Sequence, residues 1–540
     1  MKERFQPLSE KEEAAEPEEN DNQLHDRLSM EELVDKAVGT SKGRYVGFVS
    51  LFMLSNLTAS LMCYLPVLTG YIPYTEWQCV SERCYALLEN HAGENHTFYT
   101  RDAMCSNDLE ADIDFIWTPK RSSFAVDFGI YCGTESQKSN IDSFYFIGAF
   151  VGLLGSSSLF DMFGRKKVTL GGGLFAVAAT IGMAFATNLQ TMLGLRVMQG
   201  LGVLVAMTGR YVWCMEFTPL RLRNVANTLI QITWPLGTGV LILVCYMVTN
   251  WRFSVGIVSF ISFLFYLQLL VCPESPRFFA FRNKEEEAME ILNKLARFYN
   301  NPALPENCLE REVDQVGKSD GFLKQMKAFI LYPVMLRRTV FLMICWFTVS
   351  LFYYGLSFGW HKMGSNIFAS QGFGSLSEVV ACTLSFTLVG TAGRKKTQMV
   401  AFLGIGICFG IAMIDVPLSS TWQLQQVACL FAIVFIATEF VTVYLYTAEL
   451  SPTSHRGMIM SLCSGTARIG SFMGPYLSLL YDVLDRRIVL GMFGGMGLLA
   501  AVGTFFLLED STGMAVAETP AGLQGAKRLE EEESVQDDSP

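Results

Sequence analysis

The sequence predicts an all-α membrane protein whose twelve transmembrane helices form two pseudo-symmetric six-helix bundles. Three observations support this fold class: long apolar stretches, basic residues gathered in alternate short loops, and an internal repeat. The chain of 540 residues is 51% apolar and 17% charged, whereas a soluble domain carries about 25% charged residues. This composition favours membrane spans over a single large soluble core.

Twelve stretches approach the roughly 20 mostly apolar residues that a membrane-crossing helix needs. They lie near residues 44–68, 142–160, 168–187, 190–213, 224–248, 251–271, 339–360, 373–391, 397–413, 423–446, 457–480 and 487–508. The predicted organisation is an N-terminal tail (1–43), a first six-helix bundle (44–271), a linker (272–337), a second six-helix bundle (338–508) and a disordered acidic tail (509–540). Apolar residues at helical spacing predict an amphipathic helix within 281–300 of the linker and a shorter one within 29–39.

Lys and Arg in the short loops set the orientation of the chain under the positive-inside rule. They occupy the loops after the second, fourth, eighth and tenth spans, whereas the intervening loops hold almost none apart from Arg486 and Arg487. We therefore expect a multi-pass protein with both termini and the linker in the cytosol. The acidic ends contain too few apolar residues to fold, and neither is basic, so a nucleic-acid partner is not expected.

The segment 71–140 is then expected to lie outside the membrane as part of the first bundle. It contains four cysteines, Cys79, Cys84, Cys105 and Cys132. They are disulfide candidates, because an external compartment is oxidising. Three pairings are possible, and four unpaired thiols remain an alternative. Asn95 begins an Asn-His-Thr acceptor for glycosylation. The other cysteines lack metal-ligand spacing, so no metal site is predicted.

Three short motifs recur in the same order in the two halves. Gly164-Arg165-Lys166-Lys167 recurs as Gly393-Arg394-Lys395-Lys396, Glu216 with Arg223 recurs as Glu449 with Arg456, and Pro-Glu-Ser at 273–275 has a weaker echo in Glu-Asp-Ser at 509–511. Two parallel six-span repeats are the arrangement of major facilitator transporters, so the repeat predicts the major facilitator fold.

The repeated turns are candidates for a conformational switch. A glycine allows the chain to bend after a span, and the basic residues that follow can bind helix C-terminal carbonyls or carboxylates. Ion pairs that form in one state of a carrier and break in the other would latch a two-state transition; the alternative is that these residues only anchor the topology. The switch candidates are Asp161, Gly164, Arg165, Lys166, Glu216, Arg223, Gly393, Arg394, Lys395, Glu449 and Arg456.

Between residues 28 and 512 the chain resembles the organic cation, organic anion and carnitine transporters of the major facilitator superfamily. The resemblance rests on the large outer loop, on Pro-Glu-Ser-Pro-Arg-Phe at 273–278, on the span-7 run from Trp346 to Tyr354, and on Tyr-Leu-Tyr-Thr-Ala-Glu-Leu-Ser-Pro-Thr at 444–453. It implies a central cavity that binds a small organic ion. The Gly-Arg-Lys turn alone is shared with sugar and polyol porters.

An ionisable residue inside a membrane span carries a high free-energy cost, so its presence there indicates a functional site by default. By resemblance, the position of Arg468 holds an acid in cation-transporting members and an arginine in anion and carnitine transporters, and its guanidinium suits a carboxylate; a structural partner for an intramembrane acid is the alternative. The substrate-binding candidates are Arg468, Glu378, Trp346, Tyr353, Tyr354, Gln231, Trp234, Glu439 and Arg210. Glu439 and Arg210 depart from the family pattern, and each aromatic taken singly is as well explained by packing.

The leading hypothesis is an alternating-access secondary transporter of small organic anions or zwitterions such as carnitine-like compounds, acting as a monomer in the plasma membrane. The alternatives are an organic cation transporter, a sugar or polyol porter, and a non-transporting receptor with the same fold. No catalytic motif or cofactor site is present, so an enzyme is not expected. A coupling ion, Na⁺ or H⁺, is left open, with Glu378 and Glu439 as the residues to examine.

Overall fold

The computed structural model describes most of the chain. The described residues are 28–39, 42–71, 77–79, 115–117, 121–130, 135–305, 309, 331–363, 366–414, 416, 423–452 and 455–511. The disulfide candidates and the Asn95 acceptor lie outside the residues whose side chains are described.

Twelve long helices dominate the structure and confirm the predicted fold class. The first half contains α2 (Lys42–Thr69), α4 (Glu135–Phe163), α5 (Arg165–Ala184), α6 (Leu189–Glu216), α7 (Arg223–Met247) and α8 (Trp251–Leu267). The second half contains α11 (Pro333–Met363), α12 (Ile367–Thr391), α13 (Arg394–Ala412), α14 (Leu424–Leu450), α15 (Arg456–Val483) and α16 (Arg486–Leu507). Within the described residues, ten helices are long and apolar enough to cross a membrane by length and composition alone. The other two long helices, α4 and α15, hold charged residues inside the bundle.

The remaining elements are short and lie at the ends of the long helices. They are α1 (Met30–Val38), β1 (Trp77–Cys79), β2 (Phe115–Trp117), α3 (Phe124–Asp127), α9 (Pro276–Ala280) and α10 (Glu285–Tyr299). The two strands pair antiparallel, with Gln78 opposite Ile116. The helices predicted before span 1 and in the linker are thus present as α1 and α10.

Both Gly-Arg-Lys-Lys turns lie at the same end of the molecule, because successive long helices reverse direction. We call this end the basic end and the other the opposite end. Gly164 and Gly393 precede α5 and α13 with φ of 96° and 84°, a region that residues with a Cβ rarely adopt. A Cβ on Gly164 would also lie 2.4 Å from Glu274 Oε2. The turn therefore requires glycine at this position.

Glycine also permits close packing of α4 against α6 in the first half. A Cβ on Gly148 would lie 1.9 Å from the carbonyl oxygen of Val197, and a Cβ on Gly200 would lie 1.9 Å from that of Tyr145. Small residues allow helix backbones to approach in this way where lipid gives no hydrophobic drive for association. The two helices are consequently packed closely against each other within the first half.

The two halves meet along α4 and α15 and along α7 and α12. Ser143 Oγ donates to the Phe472 carbonyl oxygen at 2.8 Å, and Tyr476 OH donates to Asn140 Oδ1 at 2.6 Å. The chain directions place both contacts in the part of the bundle nearer the opposite end. The described contacts thus join the halves toward that end.

Candidate functional site

A hydrogen-bonded chain of three predicted site residues crosses between the halves. Trp234 Nε1 on α7 donates to Tyr353 OH on α11 at 2.7 Å, and Tyr353 OH donates to Glu378 Oε2 on α12 at 2.9 Å. Since a tyrosine hydroxyl both accepts and donates, it joins the indole to the carboxylate without leaving either unpaired. The structure therefore brings Trp234, Tyr353 and Glu378 together at the centre of the molecule. We call this group the Tyr353 relay.

Aromatic rings surround the Tyr353 relay from both halves. The ring of Tyr354 lies 5.0 Å from that of Tyr353 and 4.6 Å from that of Phe146 on α4. Tyr64 on α2 packs against Trp234 at 5.9 Å and against Phe358 at 5.6 Å. We call this group of rings, together with the Tyr353 relay, the central cleft.

The predicted residue Trp346 lies on the same wall, one layer closer to the basic end. Its ring is 4.1 Å from that of Tyr444, and its Nε1 donates to Thr447 Oγ1 at 2.9 Å. Sequence reasoning missed Tyr64, Phe146, Phe358 and Tyr444 as site residues. Tyr444 stood within the family motif, whereas a single aromatic in a span gives no signal that separates a cleft wall from ordinary packing.

Arg468 on α15 is half-buried and faces the aromatic residues of the central cleft. It lies within electrostatic range of Tyr354 and Tyr444 in its own half and of Tyr145 in the first half. Its Nε is buried without a hydrogen-bond partner. In the described part of the chain no carboxylate forms an ion pair with this guanidinium. A cation in this position is complementary to an anionic group of a bound molecule.

Arg210 and its contacts lie inside the first half. The residue is fully buried on α6, where Nη1 donates to the Ser55 carbonyl oxygen at 2.8 Å and Nη2 donates to Asn56 Oδ1. Asn56 Nδ2 in turn donates to Thr233 Oγ1 at 2.7 Å. The structure thus ties Arg210 to neutral groups of α2 and not to Glu378 or Glu439. Gln231, three residues before Trp234, is half-buried on α7.

Arg196 forms a second buried arginine cluster that the sequence did not reveal. It donates to the carbonyl oxygens of Ile141, Met62 and Cys63 at 3.0, 3.0 and 3.2 Å. Its guanidinium lies 4.8 Å from the centre of the Tyr145 ring. These bonds cross from α6 to α2 and α4, so they tie together three helices of the first half.

The paired turns at the basic end make equivalent contacts in the two halves. Arg165 Nε lies 3.2 Å from Glu216 Oε1 and its Nη2 lies 3.4 Å from Asp161 Oδ1, whereas Arg394 Nε lies 3.0 Å from Glu449 Oε1. The third repeated motif adds a serine beside each glutamate. Ser275 lies next to Glu216, and Ser511 Oγ donates to Glu449 Oε2 at 2.6 Å.

The equivalence extends to aromatic side chains one turn before each glutamate. Trp213 Nε1 donates to the Pro273 carbonyl oxygen at 3.0 Å, and Tyr446 OH donates to the Glu509 carbonyl oxygen. Even the weak echo of Pro-Glu-Ser at 509–511 therefore occupies the equivalent place in the second half.

The other switch candidates make different contacts. Lys166 Nζ donates to the carbonyl oxygens of Leu270 and Cys272 at 2.8 and 2.7 Å, which satisfies carbonyl groups of the short turn that follows α8. Lys395 Nζ lies 5.5 Å from the centre of the Phe505 ring. Arg223 Nη2 pairs with Glu31 Oε1 of α1 at 2.9 Å, and Arg456 begins α15 with its Nε unpartnered among the described residues.

The described cysteines and carboxylates give no sign of a metal centre. Nine described cysteines are buried free thiols: Cys63, Cys214, Cys245, Cys272, Cys345, Cys382, Cys408, Cys429 and Cys463. Over the described ranges, no group of three or more His, Cys, Asp or Glu is placed to hold a metal ion.

Known proteins share this architecture. The xylose transporter XylE from E. coli, in its inward open conformation, matches with a TM-score of 0.59 at 14% identity and covers 88% of this chain and 99% of that structure. The proton:xylose symporter XylE bound to 6-bromo-6-deoxy-D-glucose matches with a TM-score of 0.59 at 16% identity, covering 88% and 98%. At this identity the likeness concerns the fold.

Curated relatives match over most of their length. Solute carrier family 22 member 2 of Homo sapiens is 28% identical over 417 residues, which cover 77% of this chain and 74% of the relative. Solute carrier family 22 member 7 of Bos taurus is 27% identical over 424 residues, covering 77% and 75%.

Two six-helix halves and these relatives are those of a multi-pass secondary transporter of the major facilitator class. The chain belongs to the sugar (and other) transporter family, whose profile matches residues 84–520. The resemblance to the organic cation, organic anion and carnitine transporters is confirmed by the solute carrier relatives. The protein is accordingly a transporter and not an enzyme.

Proposed function

We propose that the protein moves small organic anions or zwitterions, such as carnitine-like compounds, by alternating access. The observation that carries the proposal is Arg468, a half-buried guanidinium that faces an aromatic cleft and pairs with no described carboxylate. A charge held within a membrane bundle is costly unless something compensates it. A substrate carboxylate would compensate it through two parallel hydrogen bonds.

The rest of the central cleft suits an organic molecule with an apolar body. Tyr354 and Phe146 come from opposite halves and pack edge to face, with 4.6 Å between their ring centres, so together they supply apolar aromatic surface. Glu378 adds a negative group on α12, while the rings can hold an ammonium group by cation–π attraction. A zwitterion would place its carboxylate at Arg468 and its ammonium near Glu378. An organic anion would use Arg468 and the rings alone.

The proposed setting is the plasma membrane, with the basic end in the cytosol and the protein acting as a monomer with no bound cofactor. The basic loops support this orientation through the positive-inside rule. The paired arginine–glutamate contacts at the basic end then support the role of a latch that differs between the two states of the transporter. In this proposal the substrate contacts Arg468, Glu378 and the rings of the central cleft, and the latch consists of the paired arginine–glutamate contacts.

Substitution of Arg468 tests the substrate proposal. In Arg468→Ala, uptake of radiolabelled carnitine or benzoate should fall at least about tenfold at equal surface expression, because about 1.4 kcal/mol of lost binding is a factor of ten. Arg468→Lys keeps the charge without the bidentate geometry and should retain part of the uptake. The matched control is Arg487→Ala, an exposed cation in the first turn of α16, which should leave uptake unchanged.

Two outcomes would redirect the assignment. Unchanged uptake in Arg468→Ala would remove this residue from the substrate site. An organic cation transporter is the second candidate, and the relay carboxylate Glu378 favours it. Uptake of tetraethylammonium that survives Arg468→Ala and is lost in Glu378→Gln would establish that candidate instead.

A further inference from the structure

A buried carboxyl group lies apart from the central cleft, inside the second half. Glu439 on α14 is ten residues before Glu449, which places it about 15 Å along the helix from the basic end. The residue has 0% of its surface exposed. Neither Oε1 nor Oε2 has a hydrogen-bond partner among the described residues, and no described cation pairs with it.

The groups that face Glu439 from the neighbouring helices are neutral. Cys345 on α11 lies within electrostatic range of the carboxyl group, with Cys463 on α15 close to that thiol. On α13, Gln398 Nε2 lies 3.5 Å from both Cys345 Sγ and Thr504 Oγ1, and its Oε1 is buried without a partner. Among the described residues, the titratable groups found close to Glu439 are thus the thiols of Cys345 and Cys463.

The charged residues of two neighbouring helices, α12 and α15, contact other groups and not Glu439. Glu378 on α12 is engaged by Tyr353, and Arg468 on α15 faces Tyr354 and Tyr444. A carboxylate anion in such a place would be strongly unfavourable, since no described group replaces the water it has lost. A protonated carboxyl group needs no ion pair. Burial without a described partner therefore favours the neutral form of Glu439 over the carboxylate.

Glu439 also lies directly behind the wall of the central cleft. The next residue, Phe440, packs on Tyr353 with ring centres 5.4 Å apart, and Cys345 is followed by the cleft residue Trp346. A shift of α14 against α11 would therefore change the cleft wall and the access of water to Glu439 together.

We propose that Glu439 is a proton-binding site coupled to transport, loaded in the conformation that is closed at the opposite end and emptied when α14 and α11 move apart. The proton adds to a carboxylate oxygen and leaves from it to water, so one O–H bond forms and breaks in each cycle. Coupling of the proton to transport rests on the proposed transport function, whereas protonation of Glu439 does not depend on it. The two are tested separately.

Infrared difference spectroscopy of the purified full chain in lipid tests the loaded state without any substrate. The wild-type protein at neutral pH should show the C=O stretch of a buried carboxylic acid, and Glu439→Gln should lose it. Glu378→Gln is the matched control and should keep that band. Glu439→Asp, which should shift the band, serves if the glutamine variant does not fold. Identical carboxylic-acid spectra of wild type and both Glu439 variants would overturn the proposal.

Proteoliposomes loaded with carnitine or benzoate test the coupling. An imposed pH gradient should stimulate wild-type uptake, and Glu439→Gln should lose at least about tenfold of that stimulation while exchange of labelled for unlabelled probe stays within about threefold. An equal response of both proteins to the pH gradient, or stimulation by a Na⁺ gradient alone, would overturn proton coupling at Glu439. Failure of the wild-type protein to move either probe would count against the proposed substrates, while the infrared result would still decide whether Glu439 binds a proton.

Discussion

Tyr353 is the residue through which the two halves share one carboxylate. Its hydroxyl accepts from Trp234 and donates to Glu378. In Tyr353→Phe the buried Glu378 and the half-buried Trp234 would both lose their hydrogen bond, and a buried group left unpaired costs about 1–3 kcal/mol. We expect a clear fall in the thermal unfolding temperature of the purified protein. Tyr354→Phe is the control, because that hydroxyl makes no hydrogen bond to a described residue. Equal melting of the two variants would show that the relay contributes nothing to stability.

At the same scale, the sequence pointed to single candidate residues and not to the groups that contact them. Arg468 and Glu378 were predicted because a charge within a span is costly and therefore rare. Arg210 satisfied the same criterion, yet its partners are a backbone carbonyl and an amide of α2. Such partners carry no sequence signal, since every residue has a carbonyl group. Glu439 satisfied the criterion too, and the structure places both of its oxygens inside the second half without a described partner.

At the scale of elements, α1 docks on α10 through an apolar face supported by ion pairs. Leu33 is fully buried there, while Asp35 pairs with Arg221 at 3.0 Å and Glu31 with Arg223 at 2.9 Å. Half-exposed pairs of this kind are worth about 0–1 kcal/mol each, whereas burial of a leucine side chain is worth about 1.5–3 kcal/mol. The apolar face is therefore the main attachment of α1.

Leu33→Asp should therefore release α1, because a carboxylate cannot be buried against α10 at low cost. Amide hydrogen exchange at 30–38 should accelerate at least about tenfold, which corresponds to about 1.4 kcal/mol of lost protection. Glu32→Gln keeps the side-chain acceptor of the capping box and should exchange as the wild type does. Protection that survives Leu33→Asp would show that the ion pairs alone hold the helix.

The elements themselves were largely predictable, because apolar length and loop charge are properties of the linear sequence. Each predicted span overlaps one long helix, and the repeated motifs occupy equivalent places in the two halves. The pairing of Arg223 with α1 was not predictable. The motif placed Arg223 near Glu216 in sequence, but the position of α1 depends on burial of Leu33 and its neighbours against α10, which no local pattern encodes.

At the scale of the whole molecule, the contacts that join the two halves could not be predicted from the sequence. A span is apolar on all sides, so its periodicity does not separate the face toward lipid from the face toward the other half. The structure supplies that information at α4 and α15, where Ser139 Oγ donates to the Pro475 carbonyl oxygen at 3.2 Å. These contacts, together with the guanidinium of Arg121 4.7 Å from the centre of the Phe368 ring, close the bundle toward the opposite end.

Alternating access requires these contacts to separate in each cycle. Asn140 and Tyr476 face each other across the two halves, with 2.6 Å between Asn140 Oδ1 and Tyr476 OH. A double variant, Asn140→Cys with Tyr476→Cys, treated with a short bis-maleimide should become cross-linked and lose at least about tenfold of its uptake of carnitine or benzoate, because the closed state then cannot open. Each single variant is the control and should keep most of its uptake after the same treatment, with the linked peptides identified by mass spectrometry. Full uptake by a cross-linked protein would mean that substrate passes while α4 and α15 stay joined, and the halves would then have to move about some other contact.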